Sequence, residues 1–509
     1  MLNTRTANRQ TTRRQNRLPK EALPGSTLNP PVHLAAPEGR RHIKGDDTVK
    51  SATSLRTTFR ATGLSRRGVL RASAGLSLGA MLGSRGGTQR SHAQDAGPAS
   101  LTIWLDGEPG TVNAVTDILK TYAQEHPDIS IEATFVGNAL FNPTLVPALN
   151  AGEGPDIWAG GSGPGQPQAI IEAGHALDLT PYYCTLGWNE IIPDEIVGYT
   201  SSDGKLWALG DSVETTLMFY NAAIFKEHGL EVPQTWGDLM AACDTLKGAG
   251  FANPIGLGGA DKYPISWWQS LLWGRYAGPD GVNDVMFGDG SWNSEPFIQA
   301  TAKLKEMNDA GCFGASPLAE LQDDVEARYW RGDIPMIFTG PWVIGPGIDA
   351  VGEDIVNFGV FPVPPPIDGD PIYPSADIGT GWYINAATEY PDQAADVLNY
   401  LLFNEESRKV MLESGDNVPV GPLNLEGVDL PQIVQDVFAL SNEYRDNGTI
   451  HAFLDTVTPA SMTDVSYDGL QAVLAGQMTP EQFTAAVQQA WEAARAEGEI
   501  MSPGGVTCQ

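Results

Sequence analysis

Tryptophans that lie off any apolar helical face, set among an excess of carboxylates, are the side chains of this sequence best suited to chemistry. Trp104, Trp158, Trp207, Trp342 and Trp382 fall in loops or at strand ends. The run Ser266-Trp267-Trp268-Gln269-Ser270-Leu271-Leu272-Trp273 adds three more. The 509-residue chain holds 13 Trp and 14 Tyr beside 62 acidic and only 31 basic side chains. Pyranose rings offer apolar C–H faces that stack on aromatic rings, and their hydroxyls need planar acceptors and donors such as Asp, Glu, Asn and Gln. A loop-end Trp near a carboxylate therefore suits a neutral sugar. Taken singly, each Trp is more often core than contact.

Catalytic patterns are sparse. Beyond residue 93 the sequence contains no H-E-x-x-H, no G-x-x-x-x-G-K-[ST] and no G-x-S-x-G. Gly160-Gly-Ser-Gly-Pro-Gly165 comes nearest to the last of these, but Pro164 stands where its final glycine belongs. After the leader only His126, His175, His228 and His451 remain, without metal-ligand spacing, and they read as structural or surface residues. No catalytic residue, metal ligand or cofactor is expected. Arg331-Gly332-Asp333 reads as a helix-terminal turn. Acid pairs are too numerous for spacing to exclude a glycosidase, so a secreted carbohydrate-active hydrolase stays open. A polyamine-type cation binder also stays open, since it suits so many acids.

Charge is unevenly distributed. Residues 1–93 carry 17 of the 31 Lys+Arg and four of the 62 acids, leaving 14 bases against 58 acids beyond them. So acidic a body repels phosphate backbones, which excludes nucleic-acid binding. No run of about 18 apolar residues occurs, as a spanning helix would need. Residues 1–64 read as disordered. Ser65-Arg66-Arg67-Gly68-Val69-Leu70-Arg71, the mildly apolar residues 72–83 and Ser91-His92-Ala93 resemble a twin-arginine export signal with its cleavage site. The mature chain is expected to begin near Gln94, in the periplasm or outside the cell. It would have no lipid anchor, because the first cysteine is Cys184. Cys184, Cys243, Cys312 and Cys508 allow three pairings in an oxidising compartment.

The elements that must position these residues alternate. Leu101-Thr-Ile-Trp-Leu105 reads as a strand, and Val112, Val115, Ile118, Leu119 and Tyr122 lie on one helical face. His126-Pro127-Asp128 stops that helix, and residues 129–135 alternate as a second strand. Such alternation predicts an α/β fold with a largely parallel sheet covered on both faces. Near Asp211–Glu214, and after the Pro-rich residues 362–374, the chain reads as crossing between lobes. Residues 460–495 read as two helices, with Thr479 as an N-cap.

Taken in order, these segments resemble the carbohydrate-type extracellular solute-binding proteins of ABC importers, the group that includes the maltodextrin binder. The resemblance covers roughly residues 101–495. It rests on Leu101-Thr-Ile-Trp-Leu-Asp-Gly-Glu108, Gly154-Pro-Asp-Ile-Trp158 and Asp203-Gly-Lys-Leu-Trp207. Further support comes from Glu214 with Thr-Thr-Leu-Met-Phe-Tyr-Asn221, Tyr329-Trp-Arg-Gly-Asp-Ile-Pro-Met336 and Thr339-Gly-Pro-Trp342. It implies a two-lobed periplasmic-binding-protein fold whose lobes are joined by hinge strands around a ligand cleft. The N-terminal lobe would take residues 94–212 and 380–426, and the C-terminal lobe 213–379 and 427–509. The implied contacts are Glu108, Gly161, Ser162, Glu214, Trp267 or Trp268, Trp342, Asp377, Trp382 and Asn417. The resemblance further implies a monomer that binds a neutral mono- or oligosaccharide and delivers it to the permease subunits of the importer. Pro109 replaces a basic residue of the maltodextrin binder, which argues against maltodextrin itself. Within one lobe the resemblance favours a Cys243–Cys312 bridge.

Overall fold

The computed structural model describes residues 55–59 and 98–508, apart from 106–108, 137, 163–166, 193, 416–417, 448–450 and 501–504. The twin-arginine segment, Glu108 and Asn417 therefore lie outside the described residues.

The first lobe is built on a six-stranded sheet, ordered Leu55–Phe59, Ile129–Phe135, Ala99–Leu105, Ile157–Gly160, Gly381–Ile384 and Leu209–Gly210. Its three central strands are parallel, as the βαβ reading requires. The helix Pro109–Glu125 makes the crossover and buries Val115, Ile118, Leu119 and Tyr122, the predicted face. The Pro-Asp motif before Ile157 has a structural task. Asp156 accepts from the amide and hydroxyl of Thr102, both at 2.8 Å, and from the Thr388 hydroxyl at 2.6 Å. One carboxylate thus registers three segments of the sheet.

Two expectations are corrected here. The sheets are mixed rather than largely parallel: Gly381–Ile384 runs antiparallel to both of its neighbours. A strand that enters from the other lobe needs no crossover helix, so nothing forces it to run parallel. Within the leader, Leu55–Phe59 is a strand, paired antiparallel with Ile129–Phe135 at the sheet edge.

The second lobe carries a mixed four-stranded sheet of Ile255–Gly256, Met336–Thr339, Leu217–Asn221 and Phe358–Phe361. A large core covers it, with Trp236, Trp268, Trp273, Trp292 and Trp491 buried. The helices Ala460–Leu474 and Pro480–Glu497 close this lobe, and Thr479 caps the second in a reciprocal box with Gln482. Arg331-Gly332-Asp333 is the expected turn, with Gly332 at φ +81.

A third sheet joins the lobes. Glu214–Thr215 pairs antiparallel with Ser375–Asp377, which pairs parallel with His451–Ala452. The first two are the crossings expected from sequence. The third was not.

The cysteines are also corrected. Cys184, on the helix Thr180–Thr185, is bridged to Cys508, 324 residues away, with Cα atoms 5.4 Å apart. Cys243 and Cys312 are free thiols buried in the second lobe. Spacing is blind to a bridge made by a returning tail. That tail links the lobes: Ile500 packs on the core of the second and Val506 on the core of the first.

Candidate functional site

At the hinge, Asp211 is a buried organiser. Its Oδ1 accepts from the Thr380 amide at 3.1 Å and the Ser212 hydroxyl at 2.8 Å, and its Oδ2 accepts from the Trp382 indole N–H at 3.1 Å. Glu214 Oε1 lies 3.5 Å from the Ser212 hydroxyl, and Glu214 itself is half-buried opposite Asp377 in the register. Gly379 holds φ +61, and a Cβ there would fall 1.9 Å from Ser212 Oγ and 2.7 Å from Asp211 Oδ1. Only glycine lets the two crossings approach so closely.

Beside the hinge, the second lobe presents an aromatic corner. The Pro341–Val343 turn packs against the first hinge strand and carries Trp342, half-buried, with its ring centroid 5.0 Å from Trp267. Trp267 also meets Tyr263 at 5.0 Å and Phe453 at 6.4 Å. Tyr263 and Trp267 lie four residues apart on the helix Tyr263–Phe287 and so share a face. Gly340 is required here, since a Cβ would sit 2.0 Å from the Trp342 ring.

The structure therefore brings together Glu214, Trp267 and Trp342, with Asp377 across the hinge ladder. Gly161 and Ser162 follow the strand end at Gly160, which pairs with Gly381 just past the hinge. The carbonyl of Gly161 accepts from Tyr383 at 2.7 Å, and Ser162 is 3% exposed with no partner for its hydroxyl. Two calls are corrected. Trp268, 1% exposed, packs between Phe338 and Phe313 in the core, because neighbouring helical residues point to different faces. Trp382, also 1% exposed, belongs to the hinge through its bond to Asp211. A cavity of ≈ 400 Å³ lined by Pro233, Phe361, Pro362 and Leu440 shares no residue with this corner.

Sequence reasoning missed Tyr263, Phe453 and Asp211. The spacing of Tyr263 to Trp267 was available as a signal. Phe453 follows the strand His451–Ala452, which no residue pattern marked.

That strand also buries His451. A carbonyl can only accept, so the contact of Nδ1 with the Ala452 oxygen at 3.2 Å places the proton on Nδ1. Nε2 is left without a partner, against Gly274. Burial, reinforced by the Arg275 cation, lowers the His451 pKa to about 4. A His held neutral in the fold contributes stability that is complete above the unfolded value of ~6.5 and is lost as pH falls toward 4. Asp455, raised by burial to about 6, works in the opposite direction over an overlapping range. We expect His451→Gln to lose less melting temperature than the wild type between pH 7 and pH 4.5. Equal losses would remove His451 from the account.

Among the described residues, no group of three or more His, Cys, Asp or Glu is placed to hold a metal, and no helix is long and apolar enough to cross a membrane. Two lobes joined by short crossing strands, with a polar hinge and an aromatic wall beside it, are the architecture of a two-lobed binding-protein fold. The chain belongs to the bacterial extracellular solute-binding proteins, whose family model matches residues 108–407. It is 25% identical over 434 residues to a galactooligosaccharide-binding protein of Bacillus subtilis, an alignment covering 82% of this chain and 94% of that one. Among solved structures it resembles a protein described in work on xylan utilisation by Caldanaerobius polysaccharolyticus. That match has a TM-score of 0.68 at 22% identity and covers 77% of this chain and 99% of the other. A chitin oligosaccharide binding protein matches with a TM-score of 0.67 at 21% identity, covering 78% and 99%.

Proposed function

We propose that this chain is the binding subunit of an ABC importer. It captures a neutral mono- or oligosaccharide by closure of the two lobes about the hinge and passes it to the permease. The observation that carries this reading is the Trp267–Trp342 corner beside the hinge strand bearing Glu214. The rings stack on the apolar faces of a sugar and the carboxylate accepts its hydroxyls. Because each lobe holds part of the contact set, the complete site forms only on closure. The named specificities of the relatives support a saccharide: galactooligosaccharide, chitin oligosaccharide and, in another structural neighbour, raffinose. The protein acts as a monomer, without catalysis, after export by the twin-arginine route to the periplasm or cell exterior. Glu108, Gly161, Ser162, Asp377 and Asn417 complete the proposed contacts around Glu214 and the aromatic corner.

A thermal-shift panel of neutral oligosaccharides, polyamines and divalent cations, with each sugar re-examined for cleavage products, tests the reading. Saturable stabilisation by a neutral sugar recovered intact is expected. A shift by polyamine alone would replace it with the cation reading, and cleaved sugar with the hydrolase reading.

A further inference from the structure

We propose that the strand Ile129–Phe135 is an interaction edge whose occupant is the chain's own leader. Leu55–Phe59 caps it in the precursor, and removal of residues 1–93 on export opens it. The inference rests on the export reading above and on none of the sugar contacts.

Ile129–Phe135 is committed on one side and capped on the other. It pairs parallel with Ala99–Leu105 along its whole length. On its opposite side Leu55–Phe59 adds antiparallel, from Leu55 opposite Phe135 to Phe59 opposite Ile131. Leu55–Phe59 ends the sheet, so without it Ile129–Phe135 becomes the outermost strand. A strand between two partners shares its backbone groups between them, so roughly half of those on Ile129–Phe135 turn toward the leader.

As an edge, Ile129-Ser-Ile-Glu-Ala-Thr-Phe135 lacks the usual protection. Edge strands are commonly kept short, or carry Lys, Pro or a bulge that discourages pairing with another chain. This one is seven residues long, holds no Lys, Pro or Gly, and has Glu132 as its one charge. Ile129, Ile131, Thr134 and Phe135 are β-branched or aromatic, the residue types that favour strand pairing. Ile129, Ile131 and Ala133 are anchored in the core of the first lobe, which fixes the register that the edge presents.

Charge favours the leader as occupant. Residues 52–93 hold seven Arg and no Asp or Glu, against 14 bases and 58 acids beyond them, so the two parts attract. Charge also explains why a temporary cap suffices. The whole chain carries −31, and the part beyond residue 93 carries −44. Copies of the processed chain therefore repel one another more strongly, and net charge takes over the protection of the opened edge. Arg66 of the twin-arginine pair stands seven positions after Phe59. An isolated pair of strands is marginal in water. The leader thus gains its seat once Ile129–Phe135 has joined the rest of the sheet, which puts the export motif on a chain whose first lobe has folded.

Hydrogen exchange of the full chain, read by mass spectrometry, tests the cap. Wild type is compared with Arg56→Pro/Thr57→Pro, whose successive prolines remove a donor from either side of the leader strand, and with Ala61→Pro, just beyond it. Light scattering of the same samples at low and high salt reads self-association. We expect amides of Ile129–Phe135 to exchange at least about tenfold faster in the double variant than in the other two, with Ala99–Leu105 protected in all three. The double variant alone should self-associate when salt screens the repulsion between copies. Equal exchange in all three chains would overturn the cap. Loss of protection across Ala99–Leu105 as well would also overturn it, by making Leu55–Phe59 a structural strand of the lobe rather than a removable cover. N-terminal sequencing of the exported protein tests the export reading separately. A start near Gln94 is expected, whereas a start before Leu55 would refute the removal and leave the exchange result standing.

Discussion

Trp342→Ala and Trp267→Ala should each weaken binding of the saccharide ligand by about thirtyfold or more. Truncating an aromatic that anchors a binding hot spot typically costs on the order of 2 kcal/mol, and 1.4 kcal/mol is tenfold in affinity. Both rings are half-buried and lean on one another at 5.0 Å, which fixes their planes before a ligand arrives. Their removal should therefore affect binding more than folding. Trp268 supplies the contrast, since its 1% exposure makes it a core residue whose loss would cost stability first. Gly340→Ala is a subtler version of the same test, because the added carbon would displace the Trp342 ring it now underlies. Calorimetric affinity measured beside apo melting temperature checks the set. A collapse of apo stability in Trp342→Ala with affinity intact would make that ring core instead.

The Cys184–Cys508 bridge should be a large source of stability. Cross-linking residues 324 apart restricts the unfolded chain strongly. Loop-entropy arguments give on the order of 5 kcal/mol for such a span, although measured effects range down to near zero. Val506, two residues before the bridge, packs on the core of the first lobe. A Cys184→Ser/Cys508→Ser double variant should unfold at clearly lower denaturant, and a reducing agent should shift the wild type to the same midpoint. Identical midpoints for oxidised wild type and the variant would show that the bridge contributes nothing.

Much of the architecture was legible because local patterns and tertiary demands agree. The face of the helix Pro109–Glu125, the Thr479 cap and the two hinge crossings each follow from residue spacing that the fold then uses. The mixed sheets, the strand His451–Ala452 and the Cys184–Cys508 bridge were not legible. Each depends on a segment returning from far along the chain, which no local period records. The site divides in the same way. Trp342 and Glu214 are proposed contacts that the resemblance implied, through the Gly-Pro-Trp turn and the strand ending at Asn221. Trp267 and Trp268 cannot be told apart without the helix phase. Trp382 misled because a strand-end aromatic serves a buried hinge carboxylate as readily as a ligand.

The central claim, that a neutral sugar is enclosed between the lobes, is tested most directly by titrating the mature chain with neutral oligosaccharides at low and high salt. The account predicts saturable one-to-one binding whose affinity is essentially unchanged by salt, because an uncharged ligand gives screening nothing to act on. Binding of a polyamine alone, weakening steeply as salt rises, would contradict it.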